Sequence, residues 1–272
     1  RLHKTLNYHW DDREKANEDA QYLIDLNKKI GFELVSVLNL LHGVEYSYKT
    51  WYLLFGNWLT FFTAAIFDRW EMIEKALKEC DNLETIVLKH KYVKITPNDM
   101  SEAIELLFRD DWNHIIFSWI IQQQLNIKII NKTYEIKSGE VFPRYDRNYI
   151  TIIKDIILKI LSTNFRVNNE YIFIESGFSI KDKIRLNFIL KQFCNDMFFS
   201  ELNEVSKDND SYRNWSIKID NSNKFENFLF NLIPKLMPKL YLEGFEPSKK
   251  MMCKLMLPKN PKVLITMTAH FN

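Results

Sequence analysis

Seventeen consecutive residues of this chain, 51–67, read WYLLFGNWLTFFTAAIF and carry no charge. Such a run has to leave water, and its length limits where it can go. A bilayer span needs about 20 apolar residues, and this stretch is diluted by Gly56, Asn57, Thr60 and Thr63. Lysine and arginine do not gather on one flank, as an oriented span requires. The run therefore reads as a buried core helix, with a membrane-surface segment as the lesser alternative. It lies inside a longer helical pattern. Ser47 is a suitable N-cap, and after Asp68 the sequence turns amphipathic, setting Trp70, Ile73 and Leu77 against Glu71, Glu74 and Lys78.

A second long helix precedes it. Asp11 with Glu14 three residues on resembles a capping box, and apolar residues recur at helical spacing from Ala16 to Leu41. Gly43 is placed to end this helix, and Gly31 to bend it. The link from Gly43 to Ser47 is short, so the two helices should pack as an antiparallel hairpin. In a straight hairpin Arg69 falls beside residues 20–23, roughly 14 Å from the start of the first helix at 1.5 Å per residue. A site joining the two regions would then need a bend at Gly31 or Gly56.

Beyond the hairpin, strand-like and helical stretches alternate. ETIVLKHKYVKIT reads as a strand. Thr96, Pro97 and Asp99 supply an N-cap, a first-turn proline and an acid for a helical region that reaches about Gln124 and breaks at RDDW. NIKII and YIFIES are strands, YITIIKDIILKILS and KDKIRLNFILKQFCNDMFFSEL helices, and DNDSYRN a polar loop. A helix from Lys224 is punctuated by Pro234 and Pro238, and PKNPKVLITMT feeds a last apolar strand. Strands separated by helices imply a helix-rich α/β fold with a mainly parallel sheet.

The net charge of +2 gives no case for nucleic-acid binding. There is no glycine-rich phosphate loop. Cys80, Cys194 and Cys253 are isolated, with no metal-binding spacing, which suits a reducing cytoplasm. The sequons at Asn131 and Asn214 read as chance matches. The chain starts at Arg1 and stops just after an apolar strand, so it is expected to be a piece of a longer protein.

Candidate site residues concentrate in residues 9–13, where His9, Trp10, Asp11, Asp12 and Arg13 stand at a helix start. Acids there satisfy free N–H groups, and the same position can hold a phosphate. Arg69 can grip an anion bidentately or pair with Asp68. His42 closes the first helix, and His270 follows the last strand at the edge where α/β sheets bind ligands. Asp110, Asp111 and His114 read as a helix cap, and Trp51, Trp58, Phe61 and Phe62 as core.

LNYHWDDREK, LNLLHGVEYSYKTWYLLFGNWL, FDRWE, DDWNHIIFSWII, LIPKLMPKLYLEGF and LPKNPKVLITMTAHF together resemble the transferases of bacterial O-antigen and surface-carbohydrate clusters, over nearly the whole chain. The resemblance implies the middle region of a longer protein of glycosyltransferase-like fold, with two nucleotide-sugar-type α/β halves. Residues 1–257 would form the first, lacking its natural start, and residues 258–272 the first strand of a truncated second. It implies transfer of a sugar from a nucleotide-activated donor to a glycan acceptor. No metal cluster is evident in the sequence, so metal independence is expected, with no cofactor. His9, Asp11 and Asp12 would be catalytic. Trp10, Arg13, His42, Arg69 and His270 would bind substrate, with Arg13 and Arg69 holding the phosphate. The protein would be cytoplasmic, with possible peripheral contact with the inner membrane. The competing expectation is a non-catalytic glycan-binding or scaffold subunit of a polysaccharide assembly complex. The chain departs from the resemblance at Met267–Thr268–Ala269–His270, usually Ser-Asn-Ala, and at Lys49–Thr50, where an arginine is usual.

Overall fold

The computed structural model describes residues 5–80, 83–90, 95–124, 127–134, 171–174, 176–191, 196–197, 210–220, 222–254 and 261–266. The chain divides into two compact units, Arg1–Glu140 with Glu204–Ser248, and Val141–Asn203 with Lys249–Asn272.

The first unit is built on the expected hairpin of α1 (Arg13–His42) and α2 (Tyr48–Glu79). Gly43 adopts the left-handed conformation, φ 61°, that a side chain disfavours, and its N–H closes on the Asn39 carbonyl. Asn39 then locks the turn with its side chain. Its amide donates to the Tyr46 carbonyl (3.0 Å), and its oxygen accepts from Tyr46 N (2.9 Å) and Trp51 Nε1 (2.7 Å). Ser47 caps α2 as read, accepting from Thr50 N. α1 runs unbroken through Gly31. A Cβ there would stand 3.1 Å from the Tyr48 ring, so the glycine makes room for that side chain.

The uncharged half of α2 is mostly core. Trp51, Phe55, Trp58, Leu59, Phe62 and Ile66 are buried against Leu26, Ile30, Leu34 and Leu38 of α1. By length and composition α2 is also apolar enough to cross a membrane, but half of its most apolar window is buried inside the protein. Leu53, Leu54 and Phe61 remain exposed on its outer side.

Two short helices, α3 (Met100–Leu107) and α4 (Asp110–Gln122), pack on α2, and the break between them falls at RDDW as expected. Two boundaries differ from the reading. α3 is capped by Asp99, which accepts from Glu102 N (2.9 Å), not by Thr96 with Pro97 at the first turn. The Pro97 and Asn98 carbonyls are drawn away from the helix to accept from Lys239 N and Leu240 N. At α4 the cap position is Arg109, without a capping side chain, and its guanidinium pairs with Asp111. That pairing holds the Asp111 carboxyl below its usual range.

β1 (Glu84–His90) and β2 (Lys128–Tyr134) pair in parallel, Glu84 opposite Lys128. β1 begins at the first residue of ETIVLKHKYVKIT and ends at His90, and β2 begins two residues later than NIKII and ends four later. In the second unit β3 (Tyr171–Ile174) lies between β4 (Asp196–Met197) and β5 (Val263–Thr266), parallel to both. Ile172 and Phe173 on β3 are buried. α5 (Ile180–Ile189) is capped by Ser179. The helix read over residues 181–202 stops at Ile189, and Asp196–Met197 goes instead to the sheet. Thus the fold is a helix-rich α/β arrangement with small parallel sheets, two rather than one among the described residues. The helix read over residues 149–162, the expected domain boundary at 257 and 258, and His270 lie outside the described residues.

α6 (Lys224–Leu236) returns to the first unit, with Asn223 and Glu226 forming a reciprocal capping box. It buries Phe225, Phe228, Leu229 and Ile233 in the core shared with Trp70. Arg213, from the polar loop, closes its far end by donating to the Pro234, Lys235 and Met237 carbonyls and pairing with Glu243 at 2.7 Å. α7 (Phe245–Lys254) follows.

Removing the Asn39 amide leaves the Trp51 indole N–H and the Tyr46 backbone without these partners. Asn39→Ala is expected to lower stability by about 2 kcal/mol, read as a reduced urea midpoint at unchanged slope. An unaltered midpoint would show that the turn holds without it.

Candidate active site

Residues 8–12 fold back along α1 instead of leading straight into it. The single 3-10 turn His9–Asp11 sets up the reversal: Asp11 N donates to the Tyr8 carbonyl, and Asp11 Oδ2 accepts from Tyr8 N (3.1 Å). Asp12 is extended, and its Oδ1 caps α1 by accepting from Glu14 N (3.0 Å) and Lys15 N (3.2 Å). The cap is therefore Asp12, not Asp11. Trp10 lies back over the helix, its indole N–H donating to Asp19 Oδ2 at 3.0 Å and its ring stacking on Phe67 of α2.

This reversal delivers His9 into the hairpin. The imidazole is buried, with 4% of the residue exposed, and its Nε2 lies 3.1 Å from Asp68 Oδ1. An ionised carboxylate only accepts, so Nε2 carries the hydrogen. Nδ1 has no hydrogen-bond partner and stands 3.8 Å from Asp19 Oδ2. Asp68 also meets the Tyr8 hydroxyl and lies 3.7 Å from Arg69 Nη1. Burial first, then the bond to Asp68, pushes the Tyr8 phenol well up, so it stays protonated. Lys15 bridges the two helices, 2.7 Å from Asp19 Oδ2 and 2.9 Å from Glu71 Oε2. Burial opposes its charge, but these two carboxylates outweigh that and hold the ammonium above its usual range.

An open cleft of about 340 Å³ lies here. One side is the folded-back segment, with Tyr8, His9, Asp11 and Asp12. Another is a stripe of α2 formed by Glu71, Lys75 and Lys78, and Lys15 completes the lining. A separate apolar cavity by Trp58 and Met100, about 10 Å³, has room for roughly one water. No group of three or more metal-ligating side chains occurs among the described residues.

The structure thus brings together His9, Trp10, Asp11 and Asp12 and joins them to Asp68 and its neighbour Arg69. The hairpin keeps the expected antiparallel register, with Tyr22 opposite Phe67. The expected separation of His9 from the residues around Arg69 is nevertheless overturned. The joint region forms because the chain reverses before α1. Arg13 opens α1 and is exposed, outside the cleft lining. His42 sits at the far end of α1, its Nε2 donating to the Tyr241 carbonyl (3.0 Å) and its ring packed on Phe245.

Arg69 points away from the cleft into the α3–α4 junction. It donates to Asn113 Oδ1 (2.6 Å), the Ala65 carbonyl (2.7 Å) and the Leu107 carbonyl (3.1 Å). Burial lowers its pKa, and Asp68 counters. Sequence reasoning did not single out Tyr8, Lys15, Asp19, Lys75 or Lys78. Only the Glu71, Lys75, Lys78 spacing, which places all three on one helix face, was there to be read.

Arg69→Met is expected to cost about 2–4 kcal/mol, since it strands buried acceptors at the end of α3. Arg69→Lys should not rescue it, because one ammonium cannot span three acceptors. Thermal midpoints of the two variants check this; a native midpoint in either would assign these bonds no weight.

The sequence profile of the LIC12162 family transferases matches residues 2–272. No curated protein and no solved structure matches the chain. The match spans both compact units and includes the folded-back segment, the hairpin and the last strand. The chain belongs to the LIC12162 family of transferases.

Proposed function

We propose that the protein transfers a sugar from a nucleotide-activated donor to a glycan acceptor in surface-polysaccharide or O-antigen biosynthesis, within a glycosyltransferase-like fold. The family supports a transferase, and the cleft supports this form of it. In the reaction the acceptor hydroxyl oxygen bonds to the anomeric carbon as the bond from that carbon to the donor phosphate breaks. The hydroxyl proton passes to a base, and the nucleoside diphosphate leaves with the bonding electrons. The step needs a base of near-neutral affinity and positive groups for the departing phosphate.

The observation that carries this reading is the His9–Asp68 pair. Asp68 holds the Nε2 hydrogen, which fixes the tautomer and leaves Nδ1 as the basic atom, and it would stabilise the imidazolium formed on proton uptake. Asp11 and Asp12, the other candidate bases, are committed to Tyr8 N and to the start of α1.

Transfer assays with a panel of nucleotide sugars should show turnover that falls about 10²–10⁴-fold in His9→Ala. Asp68→Asn, which keeps an acceptor for Nε2 and removes the charge, should fall by a smaller factor at an unchanged thermal midpoint. Turnover at wild-type rate in both variants would sink the assignment of His9. Tight glycan binding without turnover of any donor would favour the scaffold subunit instead.

A further inference from the structure

The cleft is chemically graded along α2, and the gradient points to where the donor's phosphates sit. This inference rests on the transferase reading of the cleft. His9 is bonded to Asp68 at one end. From there Glu71, Lys75 and Lys78 follow along one face of α2, and the stretch from Asp68 to Lys78 rises about 15 Å. At the His9 end the acids are already matched. Glu71 is paired with Lys15 at 2.9 Å. On the facing segment Asp12 accepts two α1 amides, and Asp11 accepts from Tyr8 N.

At the other end stand the two lysines. Lys78 is exposed. Lys75 has an ion pair with Glu79 one turn on, at 3.0 Å, both side chains about a third exposed. Exposed pairs of this kind hold weakly, so an incoming phosphate displaces Glu79 at little cost. The lysines are three residues apart, on neighbouring positions of the helix surface, and can close on one diphosphate. A second, independent feature marks the same cleft as a ligand site. His9, 96% buried by its 4% exposure, lines it, and the imidazole Nδ1, 3.8 Å from Asp19 Oδ2, has no hydrogen-bond partner. Such a group is costly to keep without a functional partner.

We propose that Lys75 and Lys78 form the diphosphate subsite of the donor, so that the sugar lies between them and His9. The leaving phosphate then departs at the cationic end, while the acceptor hydroxyl meets the imidazole at the other. This replaces Arg69 and Arg13 as phosphate holders. Arg69 spends its donors on α3, α4 and the Ala65 carbonyl of its own helix, and Arg13 is outside the cleft.

The test uses the full chain and inorganic pyrophosphate, titrated calorimetrically at low salt. Wild type should bind, and Lys75→Gln/Lys78→Gln should weaken binding at least tenfold. Lys28→Gln/Lys29→Gln, which removes two exposed α1 lysines, should leave it unchanged. In transfer assays the cleft double variant should raise the donor KM with kcat little affected. The proposal is overturned if wild type does not bind pyrophosphate, if the two double variants lose binding equally, or if the donor KM is unmoved while transfer proceeds. The last result leaves the transferase reading standing. Lysine-dependent pyrophosphate binding with no turnover of any nucleotide sugar supports a diphosphate subsite and removes the sugar-transfer reading.

Discussion

Burial of the uncharged half of α2 is the constraint on which the first unit depends. Its aromatic side chains are too large to hide under one partner. α1 covers one side with Leu26, Ile30, Leu34 and Leu38, while Leu106 of α3, Trp112 and Ile116 of α4, and Leu229 and Ile233 of α6 join the same core. Each fully buried aromatic or large aliphatic side chain is worth on the order of 3 kcal/mol, so the helix is fixed from several directions at once. The polar extension of α2 past Phe67 is then carried on a rigid rod. Asp68, Glu71, Lys75 and Lys78 owe their placement to this packing, which continues through Phe67, Trp70 and Ile73 beside them.

Polar closure follows the same logic. Helix ends leave carbonyls and amides that must find partners when buried. Asn39 serves the hairpin turn, Arg69 the end of α3, and Arg213 the end of α6. Each is a single long or branched side chain answering several backbone groups. Among the described residues, His9 Nδ1, Asn27 Oδ1 and Thr63 Oγ1 are buried without a hydrogen-bond partner. His9 alone of these three residues lines the cleft.

The helical framework was legible in the sequence because its signals are local. Ser47, Gly43 and the break at RDDW act within a few residues of where they stand, and each fell where read. Capping was legible only to within a few residues. Asp11 and Asp12 are equally good caps by composition, and the choice was made by Tyr8, whose N–H claims Asp11. Thr96 and Pro97 lost the cap of α3 because distant backbone, Lys239 and Leu240, took the neighbouring carbonyls. The site was half legible. The cluster at residues 9–13 drew attention, but rise-per-residue arithmetic treated the chain before α1 as a continuation of the helix axis. The reversal depends on Trp10 reaching Asp19 and Phe67, contacts that no local pattern announces. Arg69 looked like an anion holder for the same reason: two of its three acceptors lie on α3 and α4, about 40 residues on.

Lys15 has a consequence for the hairpin as a whole. Two helices packed mainly through apolar side chains can slide by one turn, since successive turns present similar ridges. A slide of one turn moves every α2 residue about 5.4 Å along α1. The Lys15 ammonium, held at 2.7 Å by Asp19 on its own helix and at 2.9 Å by Glu71 on the other, loses its partner on α2 in such a slide. It works with the core as an index mark between the two rods, favouring the register in which the cleft forms beside it.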